Sequence, residues 1–146
     1  MALNFKTSEE VEIAFYDAFS KGDYSLMQYL YADSDVSCLL PDNTLIIGSL
    51  NVLDYWSCLF DGIPPVQIER KLLNACHIHS LAIHNVQENI YSDMGHVKVS
   101  EIYTTNIYVL QNNGWKIQSQ HSSLTQSTLQ PFENSTMAAS SGVLCH

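Results

Sequence analysis

The sequence predicts an α+β domain in which a strongly bent, mostly antiparallel sheet wraps three N-terminal helices to form a cone. Two observations carry that prediction. Apolar residues recur at helical spacing early in the chain, as at Val11, Ala14, Phe15 and Ala18. After Pro65 the period changes from 3.6 to 2 and stays there through three long segments. Helices first and long strands afterwards is a layered α+β arrangement. A cone of this kind has one open end, which is a natural place for a pocket between helices and sheet.

The elements follow in order. Thr7-Ser8-Glu9-Glu10 reads as a capping box that starts the first helix, and Gly22 suits the left-handed position that ends it. Asp23 caps a short second helix through about Tyr31, with Leu26, Met27 and Leu30 inward. Val36 to Leu40 is a short strand stopped by Pro41, and Leu45 to Ile47 answers it across an Asp-Asn turn. Ser49 is the expected cap of a third helix whose inner stripe is Val52, Trp56, Leu59 and Phe60. Gly62 and Pro64-Pro65 end it. Val66 to Ala75, Ile78 to Tyr91 and Val97 to Leu110 are long strands. Gln111-Asn112-Asn113-Gly114 is a tight hairpin turn into the last one. Residues 1–124 form the domain. Residues 125–146, rich in Ser, Thr, Gln and Asn, are expected to be a flexible tail.

Composition excludes several classes. The chain has 146 residues, enough for one core, with 6 Lys+Arg against 15 Asp+Glu and a formal charge of −9. So few bases leave no electrostatic footprint for nucleic acid or an anionic membrane surface. No run approaches the ~18 apolar residues of a spanning helix, and the N-terminus lacks a signal-peptide core. Cys38, Cys58, Cys76 and Cys145 form no CxxC pair and read as reduced, buried thiols of a cytoplasmic protein; the spacing does not suggest a disulfide between two of them but leaves one open.

The last strand carries the chief candidate. Trp115, Ile117, Ser119, His121 and Ser123 alternate with Lys116, Gln118, Gln120 and Ser122, so the first set shares a face. That face starts apolar and ends polar. A hairpin loop of two or four residues places His121 beside Thr104, Asn106 and Tyr108. A titratable imidazole there is either a hydrogen-bonded core residue or a working acid/base group. His84 and Glu88, four apart on one strand, also share a face and pair an imidazole with a carboxylate. His121, His84 and Glu88 are therefore the candidate catalytic residues. Thr104, Asn106, Tyr108, Ser119 and Ser123 are candidate ligand contacts, as are the helix aromatics Tyr16 and Trp56, which fit the core equally well. His77-x-His79 lacks an evident third ligand, so no metal is expected. Ser122 and Ser123 lack a nucleophile-elbow context.

Several motifs together resemble the nuclear transport factor 2-like superfamily, also called SnoaL-like or ketosteroid-isomerase-like. Ala14-Phe15-Tyr16-Asp17-Ala18-Phe19-Ser20-Lys21-Gly22-Asp23 resembles its "AFYxAFxxGD" first helix and turn, and Ala82 to Glu88 resembles "AVHxVxE". Gly48, Val52 and Trp56 resemble "G…V…W". Thr105-Asn106-Ile107-Tyr108, Gly114-Trp115-Lys116-Ile117 and His121-Ser122-Ser123 resemble "TNxY…GWRxxxHHxS". The likeness spans residues 8–124. Leu40 stands at the histidine of the family's "HP", and Gln120 at the first histidine of its "HH". The resemblance implies a cystatin-like cone, a homodimer and a small-molecule pocket, with no cofactor. The pocket would bind, isomerise or dehydrate a small organic molecule. The alternative it also implies is a non-catalytic association module with a filled cone. A pair of hydrophobic faces on the long strands, Val97, Val99, Tyr103, Ile107 and Val109 against Ile102, Tyr108 and Leu110, is consistent with the dimer.

Overall fold

The computed structural model describes residues 3–92 and 95–126. Helix α1 spans Ser8–Lys21. Thr7 caps it by accepting from the Glu10 amide, and Gly22 closes it with φ 67°. The Glu10 carboxylate reaches back to the Lys6 amide at 2.7 Å, one residue earlier than a standard capping box requires. Its buried stripe is Ser8, Val11, Glu12, Phe15, Tyr16 and Ala18, so two polar residues and a carboxylate join the apolar face. Helix α2 covers Tyr24–Met27 only, shorter than expected. Backbone from Leu30 to Ala32 leaves the helix to pair with Ile117. Strands β1 (Ser37–Leu39) and β2 (Leu45–Ile47) form the short hairpin. Helix α3 spans Ser49–Gly62, with Gly48 rather than Ser49 as its cap. Gly48 has φ 99° and offers no side chain, so the first turn lacks a side-chain cap bond.

Four long strands follow: β3 (Gln67–Ile78), β4 (Leu81–Ser92), β5 (Val97–Gln111) and β6 (Gly114–Leu124). They make one six-stranded sheet in the order β2-β1-β6-β5-β4-β3, antiparallel except where β1 runs parallel to β6. The fold is the α+β cone that the periodicity predicted and the cystatin-like form that the resemblance implied. The short hairpin joins the long strands in a single sheet, so the strand count exceeds the expected four or so. Residues left unpaired at Leu73 in β3, Val99 in β5 and Gln118 in β6 are bulges, which bend and twist the strands that carry them.

The core lies between the inner sheet face and the helices. It includes Val11, Phe15, Met27, Leu30, Val36, Val52, Trp56, Val86, Tyr108 and Ile117. Trp115 and Cys38 are buried there as expected. Cys58, by contrast, is exposed on α3 and disulfide-bonded, and Cys76 is an exposed free thiol. The picture of four buried, reduced thiols therefore fails. Thr125 is buried and bonds to Glu101 through both its amide and its hydroxyl, so the domain extends at least one residue past 124. Residues 127–146 of the predicted tail lie outside the described residues.

Candidate functional site

The inner faces of β4, β5 and β6 meet α1 over a set of buried polar side chains. Alternation along β4 turns Ala82, His84, Val86 and Glu88 inward. Thr104, Asn106 and Tyr108 do the same on β5. Register pairs His84 with Asn106, Ala82 with Tyr108 and Val86 with Thr104. His84, Glu88, Thr104, Asn106, Tyr108 and Tyr16 thus come together as the sequence suggested.

His121 does not join them. The loop is the expected two residues, Asn112 and Asn113, and Tyr108 pairs with Ile117 as anticipated. Gln118 is then an extra residue, and the next pairs are Ile107 with Ser119, Asn106 with Gln120 and Thr105 with His121. One inserted residue moves every later side chain to the opposite face. Gln120 and Ser122 therefore point inward, while Ser119, His121 and Ser123 point outward. His121 and Ser123 are exposed. They line an open groove of about 500 Å³ on the outer face with Leu73, Asn85, Tyr103 and Thr105. The Ser119 hydroxyl bonds to Ser37 at 2.8 Å. His121 and Ser123 are thereby corrected from cone residues to surface residues, and Ser119 to a link between β1 and β6.

Glu12 is the group that sequence reasoning missed. It is fully buried. Its Oε1 accepts from Tyr108 at 2.6 Å, from Asn106 Nδ2 at 3.3 Å and from His84 Nδ1 at 3.0 Å, and its Oε2 accepts from Arg70 Nε at 2.7 Å. Burial pushes the Glu12 carboxyl up, but the bonds from His84, Tyr108 and Arg70 outweigh it and hold it below its ordinary value. Glu12 is thus a buried carboxylate that stays charged. Ser8, Glu12 and Tyr16 fall at i, i+4 and i+8 beside the apolar stripe of α1, a spacing that gives them a common face but not its burial.

Glu88 lies in the opposite environment. Burial raises its carboxyl, and the charge on Glu12 adds to that rise, while hydrogen bonds from Tyr16 and Thr104 only partly offset it. Tyr16 donates to Glu88 Oε2 at 2.5 Å and accepts from Asn106 Nδ2 at 3.1 Å. The chain of bonds continues outward. Gln120 Nε2 donates to Asn106 Oδ1 at 3.0 Å, Tyr31 donates to Gln120 Oε1 at 2.6 Å, and Trp56 Nε1 donates to the Tyr31 hydroxyl at 2.9 Å. Gln120 occupies the inward position at which the resembled family carries a histidine, and it replaces a titratable ring with a neutral amide. Burial raises the Tyr16, Tyr31 and Tyr108 hydroxyls well above the ordinary range. The Cys38 thiol is pushed up to about 12 by burial and by the charge of Glu88. Among the described residues no group of three His, Cys, Asp or Glu side chains is placed to hold a metal ion, and no helix is long and apolar enough to cross a membrane.

The cone and its inward polar set place the chain in a class, and sequence comparison names it. The SnoaL-like domain profile matches residues 9–127, and the chain belongs to that family. Solved structures agree on the fold. A proposed calcium/calmodulin-dependent protein kinase type II association domain from Thiobacillus denitrificans is 26% identical, with a TM-score of 0.79 over 84% of this chain and 98% of that one. A proposed dehydratase of the NTF2-like family from Streptomyces avermitilis is 22% identical, with a TM-score of 0.72 over 81% and 93%. A proposed ketosteroid isomerase from Parabacteroides distasonis is 19% identical, with a TM-score of 0.68 over 84% and 96%. No curated protein matches the chain.

Proposed function

We propose that the cone is a small-molecule site in which Glu88 and Tyr16 form the proton-transferring pair of an acid/base isomerase or dehydratase. The observation that carries this reading is the pair of buried carboxyl groups driven in opposite directions. Glu12 is held charged by Arg70 and His84, while Glu88 has hydroxyl partners and is pushed toward its neutral form. Two carboxyl groups separated in this way can supply an acid and a fixed charge at one pH. The ligand is a neutral, mainly apolar molecule with one carbonyl or hydroxyl. Arg70 is committed to Glu12 and Glu9, and the Lys116 ammonium to the Tyr29 carbonyl, so neither is available to pair an anion. Leu40, Trp56, Leu59 and Val86 supply buried apolar surface.

The test is a thermal-shift screen of small ketones, enones and alcohols on the whole chain. A compound present at 100 times its Kd should stabilise by about 2.7 kcal/mol. Glu88→Gln should weaken that compound at least tenfold while the fold is retained. Unchanged affinity in Glu88→Gln, or no binding across the panel, overturns the reading.

A homodimer through the outer sheet face belongs to the same proposal. Leu73 and Tyr103 are exposed there, and exposed apolar side chains on one sheet face call for a cover; the bulge at Val99 takes Val97, opposite Ser92, off that face. Light scattering should give about twice the 16.4 kDa chain mass. A monomer across micromolar concentrations would sink it. A second reading, a non-catalytic association module, draws support from the 26% identical relative of that description and from inner hydrogen bonds that close on one another. It predicts the dimer without any cone ligand.

A further inference from the structure

The first turn of α1 carries a second cluster of titratable groups, beyond Glu88 and Tyr16. Ser8 is 1% exposed, and its hydroxyl oxygen lies between two imidazoles, 3.1 Å from His77 Nε2 and 3.0 Å from His84 Nε2. His84 Nδ1 then reaches Glu12 Oε1 at 3.0 Å. His84 and Glu12 are buried, whereas His77 sits on β3, at the sheet edge, and is exposed. The bulge at Leu73 makes this possible. Beyond it, Ala75 pairs with His84 and His77 with Ala82, so His77 shares the inner face. Without the extra residue Cys76 and Ile78 would face α1.

The donors can be assigned along the chain. The charged Glu12 only accepts, so His84 Nδ1 carries a proton. With Nδ1 as the one protonated nitrogen of His84, Nε2 accepts from the Ser8 hydroxyl, and Ser8 Oγ accepts from His77 Nε2–H. The arrangement of Ser8, His84 and Glu12 matches the distances of a hydrolase triad. However, the hydroxyl is buried and its remaining side is taken by His77, so an acyl group has no approach.

We infer that His77, Ser8 and His84 form a proton path that joins solvent to the buried Glu12 carboxylate. A proton taken from water at His77 Nδ1 makes that ring an imidazolium. His77 Nε2–H passes its proton to Ser8 Oγ as the Ser8 O–H proton passes to His84 Nε2. His77 is neutral again, His84 is an imidazolium against Glu12, and one positive charge has moved inward. Only N–H and O–H bonds have changed. The surrounding charges favour that movement. From α1, Glu9 and Glu12 face the path; from β3, Arg70 pairs with both. From β5 the Tyr108 ring lies 4.9 Å from His84, and from β6 the Trp115 ring lies 6.4 Å from His77. On β4, Glu88 feels the charge of Glu12. A proton on His84 offsets the Glu12 charge that Glu88 feels, so the path tunes the acid/base pair through charge. That consequence rests on the reading of Glu88 above, whereas the path itself does not.

The test is NMR on the full chain with 15N-labelled histidine, reading exchange of the His84 ring protons with water. Ser8→Ala removes the middle group. His77→Gln keeps a donor to Ser8 at an exposed position but cannot relay. Each should slow exchange at least tenfold. Unchanged exchange in either folded variant overturns the path. No ligand is used, so failure of the cone to bind small molecules leaves this result untouched.

Discussion

Replacing Glu12 by alanine is expected to lower the unfolding free energy by about 3–5 kcal/mol, the cost of removing one partner from a buried ion pair. That is a large share of the ~5–15 kcal/mol a domain of this size has. The change strips the acceptor from Tyr108, Asn106, His84 and Arg70 at once. Urea unfolding followed by circular dichroism checks it, and a loss under 1 kcal/mol would show that water replaces the carboxylate.

The pH dependence of the same variant has a definite sign. Glu12 is held below its ordinary 4.5, so its contribution is present above that pH and fades as pH falls through its folded value. Glu88 is held above 4.5, so it runs the other way. Keeping its proton favours the fold below 4.5, and that advantage is lost as pH rises through its folded value. Glu88→Gln should therefore be more stable than the wild type at pH 7, while Glu12→Ala should flatten the acid limb of the wild-type curve.

Trp56→Ala should destabilise by about 3–5 kcal/mol, the usual cost of emptying a buried indole site. The ring sits among Phe15, Phe19, Tyr55 and Phe60, with centroids 4.9–5.6 Å away. Its Nε1–H also holds the Tyr31 hydroxyl that orients Gln120. At about 2–4 °C per kcal/mol for a chain of this length, the melting temperature should fall by roughly 10 °C. His121→Ala is the contrasting case. That ring is exposed on the outer face, and its loss should stay within about 0.5 kcal/mol. Paired thermal melts decide both, and equal losses would place His121 in the core.

What was legible in the sequence depended on how far along the chain the cause lay. Helices α1 and α3 and strands β3 to β6 announced themselves because helical and strand periods are local properties of a few successive residues. His84 and Glu88 could be placed together on one face because β4 runs unbroken between them. The face of His121 could not, because the bulge at Gln118 comes between it and the hairpin turn, and nothing in Gln118-Ser119-Gln120 marks it. The burial of Glu12 was equally out of reach. A glutamate in an amphipathic helix normally belongs to the solvated side. The groups that reverse this preference lie 58, 72 and 96 residues away, at Arg70, His84 and Tyr108. The sequence by itself determined the α+β class, the order of elements and the inward groups of β4 and β5. Only the tertiary structure decided which face β6 turns inward past Gln118 and that a charged carboxylate sits in the core. Both depend on strand register and on donors that folding alone brings into contact.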